Sequence, residues 1–158
     1  MTENFATEIF FPYLFGPLFL VFWLAICAAL HFVSGWHRLQ QHFPDRDQDA
    51  WATMRFQSGK MGRALLTGVS YGNCLRFEIC PDSLSIKLLW IFGPWAKPIF
   101  VPWPDISCRT EQNMFLVRFC RMSFGRPEVG DLTIGQGAAR KIARLSQGKF
   151  AEPFTAPL

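Results

Sequence analysis

A long stretch without charged residues constrains this chain more than any other feature. Between Ile9 and His37 there is no Asp, Glu, Lys or Arg, and residues 10–33 are apolar almost throughout. At 1.5 Å per residue, a helix over 10–33 would be about 36 Å long, which is enough to cross a hydrocarbon core of roughly 30 Å. The sequence therefore predicts a transmembrane helix over 10–33, preceded by a short extracytoplasmic tail over 1–9.

The distribution of charge predicts how this helix is oriented. All 16 Lys and Arg residues follow the apolar segment, starting at Arg38, whereas the leading residues carry Glu3 and Glu8 and no base. The positive-inside rule then places the N-terminus outside and residues 38–158 in the cytoplasm. The five cysteines, an odd number without close pairing, agree with a reducing compartment. A cleavable signal peptide is the competing interpretation, but it expects a basic n-region, which these residues lack.

The residues after the apolar segment have the pattern of a juxtamembrane connector, over 34–50. Trp36, Leu39 and Phe43 recur at helical spacing, and Pro44 ends the pattern. The mixed charges that follow are typical of a short linker. A separate domain is therefore expected to begin at Trp51.

From Trp51 onward the hydrophobic period changes to two, which predicts a mainly-β domain over 51–148 followed by a tail over 149–158. Turn residues at Cys80–Ser83 predict a hairpin over 74–91. Further alternation and turn signals predict strands at 97–101, 106–111, 114–122 and 131–134. The last element differs, because Ala138, Ile142 and Leu145 fall at i, i+4 and i+7 and predict an amphipathic helix over 136–147.

Two short motifs in this series of strands resemble the bacterial pleckstrin-homology-like (PH-like) domains. They are Leu84-Ser85-Ile86 after a polar turn and the step from Phe100 to Ile106, FVPWPDI. The connector Ser34-Gly35-Trp36 is similar to the start of uncharacterised bacterial single-pass membrane proteins with such a domain. The resemblance implies a PH-like antiparallel barrel or meander, closed by one C-terminal helix, at the bacterial inner (plasma) membrane. It implies no catalytic residues.

The chemistry-bearing residues do not predict an enzyme. All three histidines precede the β domain, so a histidine-based catalytic triad cannot be assembled within it. His31 follows Cys27 by one helical turn, and two copies of this pair could make a Cys2His2 metal set. The simpler interpretation is that a small thiol and a histidine near the end of an apolar helix require no metal. We expect no catalytic site, no metal and no cofactor.

The segment 90–95, WIFGPW, is the first candidate contact surface. Its large residues Trp90, Phe92 and Trp95 surround a Gly-Pro turn, and Lys87 and Lys97 flank it. Such a loop suits the headgroup layer, where aromatic rings enter the interface and lysines meet phosphates. In the alternative interpretation, the aromatic side chains fold back over the open end of the barrel and form core.

The second candidate surface is a basic face on the C-terminal helix, formed by Arg140, Lys141 and Arg144. Close to an anionic leaflet, each base contributes roughly 1 kcal/mol of attraction. The alternative is a solvated helix face with ordinary positive-inside bias. Nucleic acid is not an expected partner, because no recognisable nucleic-acid-binding motif accompanies the charge.

Together these patterns predict a membrane-anchored binding or scaffolding module that contacts anionic lipid and an unidentified protein partner. The runner-up is a structural or assembly subunit of a larger membrane complex, and an enzyme subunit that uses Cys27 and His31 ranks last. Ala25 and Ala29 give the helix a small-x-x-x-small face, through which it could form a homo-oligomer.

Overall fold

The computed structural model describes residues 3–62, 68–92, 95–112 and 117–150, with side chains from Tyr13 onward. The chain begins with a 31-residue helix, α1, over Glu3–Val33. This helix starts before the predicted span and includes most of the predicted tail over 1–9. Tyr13–Val33 is long and apolar enough to cross a membrane, with a mean hydropathy of 2.2, and 6% of its most apolar window is buried.

Two residues, Ser34 and Gly35, separate α1 from the next helix. Gly35 has a φ of +79° and a ψ of 7°, the left-handed conformation that glycine adopts at little cost. The short helix α2 follows at once, over Trp36–His42, and buries Trp36 and Leu39. The helical spacing predicted for the connector is therefore confirmed.

The rest of the connector is extended and is held against the β domain. The Phe43 carbonyl accepts a long hydrogen bond of 3.5 Å from the Phe100 N–H. The Ser83 hydroxyl donates to Gln48 Oε1 at 3.1 Å. The Trp51 N–H then donates to the Ile79 carbonyl at 2.8 Å. The predicted linker is thus fastened at both ends and in its middle.

Within the described residues, seven antiparallel strands form one curled sheet, a half-barrel, in the order β4-β3-β2-β1-β7-β6-β5. Their bounds are Ala52–Met61 (β1), Val69–Ile79 (β2), Ser83–Leu88 (β3), Ile99–Pro102 (β4), Ile106–Gln112 (β5), Arg118–Phe124 (β6) and Gly130–Gly135 (β7). The helix α3, Gln136–Leu145, follows directly and packs Ala139 and Ile142 against β6 and β7. In the part of the chain that the structure describes, β4 and β5 are the two edge strands and do not pair with each other.

Most of the predicted elements are confirmed. The hairpin is β2 and β3, which pair from Leu75 with Leu88 to Ile79 with Leu84. The strand predicted over 114–122 is observed over Arg118–Phe124, and its first residues, 114–116, lie outside the described residues. The amphipathic helix predicted over 136–147 is α3.

The predicted tail over 149–158 is wrong at its start. Phe150 is 4% exposed, and its ring packs edge-on against Trp103 with 6.3 Å between the ring centroids. Its N–H donates to the Ser146 hydroxyl at 3.1 Å. The chain therefore continues into the core after α3 ends, and residues 151–158 of the predicted tail lie outside the described part.

An acidic side chain is buried on β7. Asp131 has a side chain that is 3% exposed, and its Oδ2 lies 3.2 Å from Arg121 Nε on the neighbouring strand β6. Arg121 also reaches Glu111 Oε1 at 3.2 Å. Burial raises the pKa of Asp131 above its ordinary value, although the Arg121 charge acts in the opposite direction.

The raised pKa of Asp131 predicts how the free energy of unfolding depends on pH. Because the pKa of Asp131 is higher in the folded than in the unfolded chain, the folded state binds the proton more tightly. Its contribution to the free energy of unfolding is therefore full below the unfolded pKa, about 4, and is lost as pH rises through the native pKa. The unfolding free energy of the wild type minus that of Asp131→Asn should therefore fall as pH rises from the unfolded pKa through the native pKa. Urea titrations of the full chain in detergent, read by circular dichroism, measure it, and a rise over this pH range contradicts the assignment.

Candidate functional site

The 90–95 loop connects β3 to β4 and is held at its base by the short helix α2. The Lys97 carbonyl accepts two hydrogen bonds from α2, from Trp36 Nε1 at 3.2 Å and from Gln40 Nε2 at 3.0 Å. Trp36 is fully buried and its hydrogen bond is partly buried, whereas the hydrogen bond from Gln40 is exposed. Residues 93–94 lie outside the described residues.

The tip of the loop contacts α1 far from this base. Trp23 Nε1 donates to the Ile91 carbonyl at 3.4 Å, and the Trp23 and Phe92 rings pack with their centroids 5.9 Å apart. Trp23 precedes the end of α1 by ten residues, which at 1.5 Å per residue is about 15 Å along the helix. The loop therefore extends along α1 from its C-terminal end to the middle of the apolar segment.

One face of α1 is correspondingly buried. Cys27 is 3% exposed, His31 8% and Ser34 6%, and these residues follow Trp23 at intervals of three or four positions. The shared face predicted for Cys27 and His31 is thus the face that lies against the rest of the protein. Ala25 and Ala29, the predicted small-residue pair, are exposed. Within the described residues, no three His, Cys, Asp or Glu side chains cluster as a metal site would require.

The large side chains of the loop are exposed. Trp90 is 74% exposed, Ile91 49%, Phe92 40% and Trp95 40%. The interpretation in which these aromatic residues fold back into the core is therefore wrong. Phe92 packs against Trp23, so these side chains adjoin the apolar surface of α1, and exposed apolar surface of this kind marks contact with a membrane or a partner.

The two flanking lysines differ in what they contact. Lys87 Nζ lies 2.8 Å from Glu78 Oε2, and Arg76 Nη2 lies 2.7 Å from the other oxygen of the same carboxylate. Glu78 is 8% exposed at its side chain, so it holds both cations in place. Lys87 is therefore an ion-paired residue rather than the open phosphate contact that the sequence predicts, whereas Lys97 has an exposed side chain.

Sequence reasoning missed a second exposed aromatic residue beside Trp90. The alternation of β1 places Phe56 on the same face as the buried Met54, but Phe56 is 64% exposed. The β1–β2 register shifts between Met54 and Gln57, and Phe56 has a φ of +55°, which is rare for a bulky residue. This bulge turns the ring outward, where it lines a cavity of about 330 Å³ with Trp90, Arg55 and Lys87. The alternation of apolar and polar residues along β1 does not reveal a bulge of this kind, so the sequence did not predict it.

The predicted basic face forms on α3 as a separate surface. Arg140, Lys141 and Arg144 are exposed, opposite the buried Ala139 and Ile142. None of these three basic residues lines either of the cavities beside Trp90 and Trp95. The 90–95 loop and the basic face are therefore two distinct candidate surfaces.

Comparisons with models of known protein families and with curated proteins find no match for this chain. Its candidate function therefore depends on the geometry of α1, the loop and the sheet.

Proposed function

We propose that this chain is a single-pass protein of the bacterial inner membrane whose cytoplasmic PH-like domain is a binding and scaffolding module, without catalysis. Its N-terminus is outside, and α1 is the anchor. The observation that carries this proposal is the contact between the 90–95 loop and Trp23 in the middle of the apolar segment. If α1 spans the bilayer, the tip of this loop lies in the hydrocarbon region beside it.

The exposed side chains of the loop support this arrangement. Trp90, Ile91 and Phe92 are large and apolar, and removing such side chains from water contributes about 1.5–3 kcal/mol for each that becomes fully buried. Arg55, beside Trp90, and Lys97 at the base of the loop are exposed cations suited to anionic headgroups. The basic face of α3 adds further attraction to an anionic leaflet.

The sheet supports the binding role. The strand order and the helix after the last strand agree with a PH-like domain, and β5, which pairs with β6 alone within the described residues, leaves an open edge. An extended segment of another protein can add to such an edge through backbone hydrogen bonds. Because the domain is held at the membrane, a weak edge contact suffices, since tethering raises the local concentration of every membrane-bound partner. An assembly subunit, the alternative function, would use the same edge.

The immersion of the loop can be measured with an environment-sensitive fluorophore. Ile91→Cys, labelled with a nitrobenzoxadiazole group in the full chain in anionic phospholipid nanodiscs, should show the blue-shifted emission of an apolar environment. Nitroxide lipids labelled in the acyl chain should quench it strongly. Both effects follow from the position of Ile91 against Trp23.

Ser107→Cys is the matched control, because Ser107 is exposed on β5, away from the loop. Its label should emit as in water and resist quenching by the same lipids. Water-like emission from the label at position 91 would contradict the proposal, and so would equal quenching at the two positions.

A further inference from the structure

A cavity of about 570 Å³ lies where α1, α2 and the base of the loop meet. Its volume is within the range of small-molecule sites, about 300–1,000 Å³. The residues that line it come from all three elements and are Ala28, His31, Phe32, His37, Gln40, Gln41, Trp95 and Lys97. It is therefore built by the docking of the domain onto the anchor, and none of the three elements forms it alone.

The lining changes from apolar to polar along the chain. Ala28, Phe32 and Trp95 are its apolar members, and the first two belong to the last two turns of α1. The polar side chains of His37, Gln40 and Gln41 belong to α2, beyond the end of the apolar segment. A ligand with an apolar and a polar part fits this division.

One polar atom of a lining residue is buried beside the cavity without a partner in the part of the chain that the structure describes. His31 is 8% exposed, and its Nδ1 is buried without a hydrogen bond within the described residues. A buried polar atom without a partner costs about 1–3 kcal/mol. The His37 ring lies 6.0 Å from the His31 ring, between centroids, and its Nε2 is 3.0 Å from Gln41 Nε2. Bound acceptor oxygens would pair with the N–H groups of the histidine and glutamine side chains that line the cavity.

The charge of the lining selects an anion. The described lining includes Lys97 as a cation and contains no Asp or Glu. Ammonium, imidazole and amide N–H groups are donors to phosphate oxygens, and hydrogen bonds to a charged group are the strong ones. A phosphate group is the anion present at the end of a membrane span, where these residues lie.

From this geometry we infer that the cavity binds one phospholipid, with its phosphate between Lys97 and the two histidines and its glycerol end against Ala28 and Phe32. This inference rests on the proposed membrane anchoring, since it takes the C-terminal end of α1 to be at headgroup level. It deepens the proposed function by naming the lipid phosphate as the ligand. The bound lipid would then be part of the joint between the anchor and the domain.

The three histidines allow a direct test by imidazole NMR of the full chain in a lipid-free maltoside detergent. Titration with short-chain phosphatidylglycerol should shift the His31 and His37 ring signals saturably and leave His42 unchanged, because His42 does not line the cavity. Inorganic phosphate and a short-chain diacylglycerol are the two comparison probes. Each lacks one half of the ligand and should bind at least tenfold more weakly.

Two variants act on the cavity in different ways. Ala28→Phe fills its apolar end, and Lys97→Gln removes its cation while keeping the backbone carbonyl that Trp36 and Gln40 bind. Each should weaken phosphatidylglycerol binding about tenfold. Arg38→Gln is the matched control, an exposed cation on α2 that does not line the cavity, and it should leave affinity within twofold.

Three outcomes would overturn the inference: no saturable shift, equal binding of inorganic phosphate, which would make this a site for a soluble anion, or binding that neither cavity variant changes. The result is separable from the test of the loop. If the label at position 91 is immersed but the histidine signals do not shift, the proposed anchored module is supported and the lipid site is contradicted. If the histidine signals shift specifically but the label at position 91 is not immersed, the lipid site in the cavity is supported and the insertion of the loop into the bilayer is contradicted.

Discussion

Trp36→Ala should lower the unfolding free energy of the full chain by about 3–5 kcal/mol, the usual cost of truncating a buried tryptophan. Trp36 is fully buried, packs edge-on against Tyr71 with 6.0 Å between ring centroids, and donates from Nε1 to the Lys97 carbonyl. It thus joins α2, the sheet and the base of the loop. We expect the variant to lose both the packing of its ring and the attachment of the loop.

Two companion variants separate these contributions in urea titrations in detergent, followed by circular dichroism. Trp36→Phe keeps most of the ring but removes the N–H donor, and should cost about 1–3 kcal/mol because the Lys97 carbonyl loses one partner. Trp51→Ala is the matched control, since Trp51 is 46% exposed, and should cost about 1 kcal/mol or less. Equal losses for Trp36→Ala and Trp51→Ala would show that the joint adds nothing to stability.

Ile91→Asp should lower the unfolding free energy of the chain in phospholipid nanodiscs by about 2–3 kcal/mol. Under the proposed anchoring, residue 91 lies beside Trp23 at the middle of the span, and a carboxylate there costs about as much as one at the centre of a membrane helix. The variant must either bury this charge or withdraw the loop from α1. Either response reduces the difference in free energy between the folded and unfolded chain.

Val117→Asp provides the comparison. Val117 is 48% exposed and Ile91 49%, and both are branched aliphatic residues. The control should change the unfolding free energy by about 0.5 kcal/mol or less, because its surroundings are proposed to be water. If the two aspartates cost the same amount, the loop faces water as well.

Local periodicity was sufficient to predict most of the elements. The β2–β3 hairpin is visible as two alternating runs around Pro81 and Asp82, and α3 as apolar residues at i, i+4 and i+7. The apolar segment in α1 is visible from its length and lack of charge. These features depend on residues within a few positions of each other, so they can be recognised from the sequence alone.

The candidate site depends on contacts between distant residues, which periodicity does not encode. Trp23 and Ile91 are separated by 68 positions, and Trp36 and Lys97 by 61. Neither pair has a local signal, so the sequence identified the aromatic loop but not where it lies. The cavity beside His31 is lined by residues of α1, α2 and the loop, so it forms where segments distant in sequence meet, and no motif predicts it.

Two single residues show other limits of a sequence pattern. Lys87 alternates correctly on β3, but its ion pair with Glu78 depends on the register of β2 against β3. Phe56 is exposed because one irregularity in β1 reverses the alternation for a single residue. Both corrections come from strand pairing, which is decided by the sheet as a whole.

The fastened connector between α2 and β1 has a mechanical consequence. Phe43, Gln48 and Trp51 are all hydrogen-bonded to the β domain, and the Lys97 carbonyl is bound to α2, so the connector and α2 are attached to the domain at several points. In the proposed membrane arrangement, a thinner bilayer would tilt α1 to reduce hydrophobic mismatch. Through these attachments, and the contact between Trp23 and the loop, a tilt of α1 would be passed on to the open edge of β5, so bilayer thickness would change the angle at which a partner finds that edge.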